Sequence, residues 1–440
     1  MPDNSLRRLA GILIFLMIIL TVLQGFLDTG LDLLLVGGLA GWAAAILLIP
    51  ALPLILKAQA LVLLVLGGGF LLYTYLSGGS LQLTRIVASN TPLLTMIAAV
   101  GVLRLVAIPD SAAASSLPRG KKSFLQTLCG LSLFSSVINV SAPIIISDRI
   151  HAERPLDRLT SRSITRVFCS VSSWSPFYGA MAVVLTYVTD AQLGWIIAAG
   201  LPFSLAGLAF VYFGARIRSP DAVDEFVGYP MNRSMLLVPA LLTLTVITGF
   251  LLFEGKPILL IIAISALLLT LILLGLRKGP DRMAGEIFDF ICTGLPRMSN
   301  ELVLFLSAGV LAVGISGLVD LGLIHNPFTS FTTLTAIQLL GIIICLSAIG
   351  VHPVIPITSL TALLTPLDPN PNLLAAVYLF GWHLGTCSSP LSGTNLMFQG
   401  RYGIPAFKGA FWNWPYAAGM FLIAMPWLFI LARWAPGFQH

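Results

Sequence analysis

Residues 381–403 read GWHLGTCSSPLSGTNLMFQGRYG, and the interruption at the centre of this stretch decides how the rest of the chain is read. The stretch is long enough to cross a bilayer. Yet Gly385-Thr386-Cys387-Ser388-Ser389-Pro390-Leu391-Ser392-Gly393 is a poor sequence for one continuous helix. Proline removes a helical donor and clashes with the preceding turn, and each glycine costs about 1 kcal/mol against alanine. In hydrocarbon the freed backbone groups each cost several kcal/mol unless something polar meets them. A crossing broken in this way is expected where it lines a site for ions or a solute. Upstream, residues 169–181 read CSVSSWSPFYGAM, where Ser175-Pro176-x-x-Gly179 repeats the pattern Ser389-Pro390-x-x-Gly393.

The 440 residues around these stretches are 57% hydrophobic and only 10% charged. A soluble domain carries about 25% charged residues, so the composition is that of a polytopic membrane protein. The net charge of +6 comes from basic residues concentrated in loops, which makes nucleic-acid binding an unneeded explanation. None of the five cysteines (Cys129, Cys169, Cys292, Cys345, Cys387) stands in a CxxC or other metal-like spacing, and no disulfide framework is expected. Arg7 and Arg8 precede the first apolar run. That run lacks an A-x-A cleavage site and more apolar segments follow, so it reads as a first span and not as a leader.

Apolar windows of about 20 residues are the unit of a spanning helix. They fall near 9–26, 31–50, 58–76 and 86–106, then 192–214, 234–253, 257–276, 299–319 and 413–433. Broken spans are read at 163–188 and 372–400, and half-depth hairpins at 124–147 and 335–365. The expected fold is an all-α polytopic membrane protein with about eleven transmembrane helices and two re-entrant hairpins. Basic residues test this layout, since they favour cytoplasmic loops. With the N-terminus inside and the C-terminus outside, only Arg85, Lys256 and Arg433 of the 24 basic residues fall on the outer side. The loop from Arg149 to Arg166 is assigned to the cytoplasm. The first hairpin then enters from the cytoplasm and the second from outside.

An internal repeat accompanies this layout. Ser89-Asn90 and Ser299-Asn300 are offset by 210 positions, and at the same offset Leu94, Ala98 and Val100 match Leu304, Ala308 and Val310. Pro143 and Pro353, in the two hairpins, keep that offset, and Pro176 and Pro390 nearly do. Span, hairpin, broken span and span recur in order, and sidedness turns the second set over. Two inverted-topology repeats with discontinuous helices are the sequence signature of secondary transporters, whose site lies near the midplane.

In this order of elements the chain resembles the ion transporter superfamily, and in layout its divalent-anion/sodium symporters. There each hairpin tip carries Ser-Asn-Thr, which binds sodium and substrate carboxylate. The tips here read Ser135-Ser136-Val137-Ile138-Asn139-Val140-Ser141-Ala142-Pro143 and Ser347-Ala348-Ile349-Gly350-Val351-His352-Pro353, so the resemblance extends to layout and not to the dicarboxylate motif. The literal Ser89-Asn90-Thr91 opens a plain span and is read as a helix cap with proline in the first turn. The resemblance implies an elevator-type carrier, often a homodimer, in the plasma (inner) membrane. Scaffold would occupy 1–106 and 219–320, and a transport domain 107–218 and 321–440. Residues 107–124 and 322–335 would be the connectors between them.

Helix N-termini aimed at the midplane favour an anion, while unwound carbonyls and hydroxyls suit a desolvated sodium ion. The candidate ligands are Ser136, Asn139, Ser141, Ser172, Ser173 and Ser175 in the first half. In the second half they are Gly350, His352, Thr386, Ser388, Ser389, Ser392, Thr394 and Asn395. Against each serine stands a back-bond within its own helix. No Asp or Glu falls inside a span: Asp28, Asp190, Asp320 and Asp368 lie at ends or loops and Glu301 starts one, which favours sodium over protons as the coupling ion. His352 and His383 keep proton coupling open, although a neutral His383 donating to a carbonyl is the blander reading. No resident metal is expected of His352, His383, Cys169 and Cys387. Trp174 and Trp382 lie near the breaks, and Trp412, Trp414, Trp427 and Trp434 suit an interface belt.

The expected function is therefore cation-coupled transport of a small organic anion such as a carboxylate, without cofactor or enzyme activity. The alternative is a proton-driven efflux carrier or antiporter of the same superfamily. An intramembrane hydrolase built on His383, Cys387 and Ser392 has no G-x-S-x-G or H-E-x-x-H to support it and leaves the repeat without a role.

Overall fold

The computed structural model describes residues 4–27, 30–107, 117–230, 237–324 and 326–436. Asp28, connector residues 108–116, Arg233, the start of the span read at 234–253 and His325 lie outside them. In chain order come α1 (Asn4–Phe26), α2 (Leu33–Leu48), α3 (Leu54–Leu76), α4 (Leu83–Ala88), α5 (Thr91–Val102) and α6 (Arg104–Ala107). Then follow α7 (Lys121–Ile138), α8 (Ser141–His151), α9 (Arg158–Ser170), α10 (Gly179–Tyr187), α11 (Leu193–Arg218) and α12 (Pro220–Asp224). Next are α13 (Leu237–Leu252), α14 (Ile258–Lys278), α15 (Pro280–Asp289) and α16 (Ser299–Asp320). The chain ends with α17 (Thr333–Ala348), α18 (Val354–Leu364), α19 (Pro371–Ser388), α20 (Gly393–Tyr402) and α21 (Ala406–Trp434). Among the described residues no strand forms, and one isolated bridge joins Arg119 and Val227.

Local chemistry fixes many of these boundaries. Asp157, Thr332, Asn370 and Ser392 each stand at an N-cap and accept a backbone N–H two or three residues inside their helix. Proline occupies the first turn of α5, α12, α15 and α19, where its missing donor costs nothing. Among the described residues eight segments are long and apolar enough to cross a membrane: Asn4–Phe26, Leu33–Ala51, Leu54–Leu76, Leu83–Ala107, Leu193–Arg218, Ile258–Lys278, Pro280–Asp320 and Ala406–Trp434. The chain is all-α, and these segments make it a multi-pass membrane protein.

Two compact units form. The first comprises Met1–Val106, Leu241–Pro327 and Thr358–Pro366. In it α3 and α16 meet at glycines: a Cβ on Gly67 would stand 2.7 Å from the Leu311 nitrogen, and one on Gly314 2.7 Å from the Gly67 oxygen. Small residues are what allow such backbone approach between membrane helices. The span read at 86–106 is not plain. It is interrupted at Ser89-Asn90, between α4 and α5. Asn90 sits at the N-cap position but does not cap; its amide crosses to α16 and donates to the Phe305 oxygen at 2.6 Å.

The second unit comprises Ala107–Ala240, Phe328–Ile357 and Leu367–His440. It contains the helical hairpin α7–α8, then α17 with the start of α18 as far as Ile357, joined through residues 349–353, and two interrupted helices. Between α9 and α10 the chain makes a 3-10 turn at Val171–Ser173 and then leaves helical conformation through Ser175-Pro176. Between α19 and α20 it is non-helical from Ser389 to Ser392. Both interruptions coincide with the prolines that demand them.

Candidate functional site

The first hairpin turns at Asn139, whose φ of 51° is left-handed. With ψ at −129° it lies outside the left-handed helical basin, in a region that favours glycine. The second turns through Gly350, at φ 105°, where a Cβ would also stand 2.8 Å from Leu391 in the second break. Each tip thus closes directly on an interruption. Ser175, in the first break, donates its hydroxyl to the Ser136 oxygen of the first tip at 2.6 Å and accepts the Phe177 N–H. A Cβ on Gly385, one turn before the second break, would stand 2.6 Å from the Ser347 hydroxyl and 3.4 Å from the Pro353 ring.

The two interrupted helices also meet. Ser173 Oγ lies 3.1 Å from His383 Nδ1, and His383 Nε2 lies 3.0 Å from the Tyr416 hydroxyl. His383 is fully buried and bridges two hydroxyls, so the expected bond to a backbone carbonyl is replaced by a Ser173–His383–Tyr416 chain. Cys169 lies against Cys387 and Thr394 across the same contact. A Cβ on Gly200 of α11 would stand 1.8 Å from the Ser173 oxygen, so α11 presses on the first break backbone to backbone. His352 takes the Val354 N–H on Nδ1 and packs edge-on to Trp382 with centroids 5.2 Å apart.

Several candidate ligands serve the backbone instead. Ser136, Ser172 and Ser388 donate to Leu133, Cys169 and Leu384 carbonyls one turn back, the back-bond that stood beside the ligand role for each serine, and keep only their oxygen lone pairs for a cation. Ser389 Oγ accepts the Leu391 N–H, Ser392 caps α20, and Asn395 donates to the Ser389 oxygen at 2.8 Å. Trp414, read as an interface residue, donates its indole to the Ser388 oxygen. These bonds meet the backbone groups that the second break sets free, the accounting that burial requires. Ser141 opens α8 half-buried, and Thr394 is buried beside Cys169.

What remains is a set of buried polar atoms without a hydrogen-bond partner among the described residues. At the first tip and break they are Ser135 Oγ, Asn139 Oδ1 and Trp174 Nε1; at the second, Ser347 Oγ and Thr386 Oγ1. A buried unpaired polar group costs about 1–3 kcal/mol; others among the described residues lie elsewhere, at Thr74, Thr91, Thr95, Ser147 and Thr160. Asn139 and Thr386 are among the candidates read from sequence. Ser135 and Ser347 lie in the tips but went unread, because back-bonding and free serines look alike in sequence.

Arg166 is the larger omission. It belongs to α9 and not to a loop, and it is only 8% exposed. Its Nε donates to Asn413 Oδ1 and its Nη2 to the Trp412 oxygen, both at 2.8 Å, with the guanidinium 5.1 Å from the Tyr416 ring centroid. Among the described residues no carboxylate pairs with it. Neutral acceptors and an aromatic face orient the charge without cancelling it. A cavity of about 10 Å³ lined by Arg162, Thr165, Phe398, Ile404, Trp412 and Asn413 shares the Arg166 partners Trp412 and Asn413, with roughly the space of one water molecule.

Outside the interrupted region, Asp148 at the end of α8 binds Arg401 through two nitrogens, at 3.2 and 2.6 Å, and Tyr402 at 2.7 Å. Its hydrogen bond raises the Arg401 pKa, while burial and then the same carboxylate raise that of the Tyr402 phenol. The first hairpin is thereby tied to the end of the second interrupted helix. Among the described residues no three of His, Cys, Asp and Glu converge as metal ligands. No protein-family model matches the chain, and no curated protein matches it.

Proposed function

We propose that the chain is a secondary active transporter of a small organic anion, such as a carboxylate, coupled to a cation and to sodium in preference to protons. The observation that carries this reading is the pairing of unpartnered buried polar atoms at two tip–break contacts with the uncompensated charge of Arg166. Hydroxyl and amide oxygens suit a desolvated sodium ion, and a guanidinium held by neutral partners suits a carboxylate. In this reading the hairpins are re-entrant, eleven crossings accompany them, and the halves of the second unit are inverted repeats. The second unit is then the moving transport domain and the first the scaffold, with the N-terminus cytoplasmic.

The test is thermal-shift screening of the purified protein against carboxylates, sulfonates and inorganic oxyanions, in sodium and in choline salts. An anion that stabilises the protein more in sodium supports the reading. Stabilisation by no anion in either salt counts against it. Arg166→Gln is expected to lose the anion response and keep the response to sodium alone.

The Ser173–His383–Tyr416 chain favours a second reading, a proton-driven efflux carrier or antiporter, since linked hydroxyl and imidazole groups can pass a proton. His383→Gln separates the two. Sodium coupling leaves the pH dependence of transport unchanged in that variant, whereas proton coupling through His383 abolishes it.

A further inference from the structure

The first unit holds a basic pocket that the transport reading does not use. The first turns of α1 contribute Arg7, Arg8 and Asn4. The irregular segment before α16 contributes Arg297 and Thr293, and α16 its first residue, Ser299, around a cavity of about 410 Å³. That segment is a π-helical turn, Phe290–Gly294, followed by a 3-10 turn, Leu295–Met298. Such π turns recur at functional sites because they displace side chains from the regular helical register. α1 is seated on it closely: a Cβ on Gly11 would stand 2.0 Å from the Ile291 oxygen. The volume lies within the range of about 300–1,000 Å³ typical of small-ligand pockets.

The charge in this pocket is one-signed. None of the three arginines forms an ion pair among the described residues. Three guanidinium groups around one space repel each other unless an anion joins them, and their planar forks match phosphate oxygens two at a time. The surroundings select the form of the phosphate. Leu6, Leu9, Ile12 and Leu16 of α1 are each between 41% and 46% exposed and recur every three or four residues, with Ile12 one turn along the helix from Arg8. A headgroup in the pocket would have its acyl chains against this stripe, whereas free phosphate makes no use of it. Basic pockets at the cytoplasmic ends of membrane helices face the leaflet that carries anionic lipid.

We propose that this pocket binds a phosphate-bearing anion, supplied as the headgroup of an anionic phospholipid of the surrounding bilayer. The test uses the purified full-length protein in neutral detergent, with binding read by native mass spectrometry. Phosphatidylglycerol, phosphatidylcholine and inorganic phosphate are titrated separately. Phosphatidylglycerol is expected to bind, phosphatidylcholine to bind much more weakly, and inorganic phosphate not to compete at millimolar concentration. Arg297→Gln should lower the phosphatidylglycerol affinity about fivefold, and the triple change Arg7→Gln, Arg8→Gln, Arg297→Gln should lose it further. Arg85→Gln, a basic change in the same unit outside the pocket, should not. If the triple variant does not fold, the Arg297→Gln and Arg85→Gln comparison decides. Equal phosphatidylglycerol binding by Arg297→Gln and the unaltered protein overturns the site. Effective competition by inorganic phosphate overturns the lipid as its source. Neither readout depends on transport.

Discussion

Asn139 and Arg166 carry the account at the scale of single residues, and each can be separated from the fold that holds it. Asn139 supplies both a left-handed turn and an unpartnered amide oxygen. Glycine accepts that φ freely, so Asn139→Gly is expected to keep the thermal stability and lose most transport. Asn139→Val should cost roughly 1–2 kcal/mol in an unfolding measurement, because a β-branched side chain opposes the turn. For Arg166 the expected order of anion affinity is unaltered protein, then Arg166→Lys, then Arg166→Gln, with the last at least about tenfold weaker, since lysine keeps the charge without the planar fork. The sequence shows Asn139 between two hairpin segments, which is why it could be chosen. It hides Arg166, because the positive-inside rule counts every arginine near a loop as solvated. Only the fold shows that α9 carries this one inward to Asn413 and Tyr416.

At the scale of elements, the interruptions and hairpin segments were legible because proline and glycine leave few conformations open to a helix in hydrocarbon. Val171–Ser173 and residues 389–392 are non-α where Pro176 and Pro390 require it. What the sequence could not show is how closely the pieces approach, since a glycine's neighbour is set by tertiary packing. Gly200 and Gly385 are the two such positions that border the interruptions. Gly200→Ala should push α11 off the first break and cost about 1–3 kcal/mol of stability together with transport, checked by denaturation and uptake of the same preparation. The break between α4 and α5 was missed for a related reason: a cap and an interhelical amide look alike until Phe305 is found opposite Asn90. By contrast Asp148→Asn, at a half-exposed pair, should change stability by less than about 1 kcal/mol.

For the whole molecule, both hairpin tips and both interruptions lie in the second unit, although they come from distant parts of the chain. That clustering gives the proposed carrier a body in which ion and solute sites share one framework. Composition and hydropathy sufficed to read a multi-pass, all-α membrane protein, because about 20 apolar residues have few other uses. Solute identity was not legible, since the tips lack a motif that names it and hydroxyl roles depend on packing. The most direct measurement is uptake of a radiolabelled carboxylate, chosen from the thermal-shift screen, into proteoliposomes holding the purified protein, with and without an inward sodium gradient. The account predicts accumulation that requires sodium and collapses in both Asn139→Gly and Thr386→Ala, one variant at each tip–break contact. Accumulation that ignores the sodium gradient, or that survives both substitutions unchanged, would contradict it.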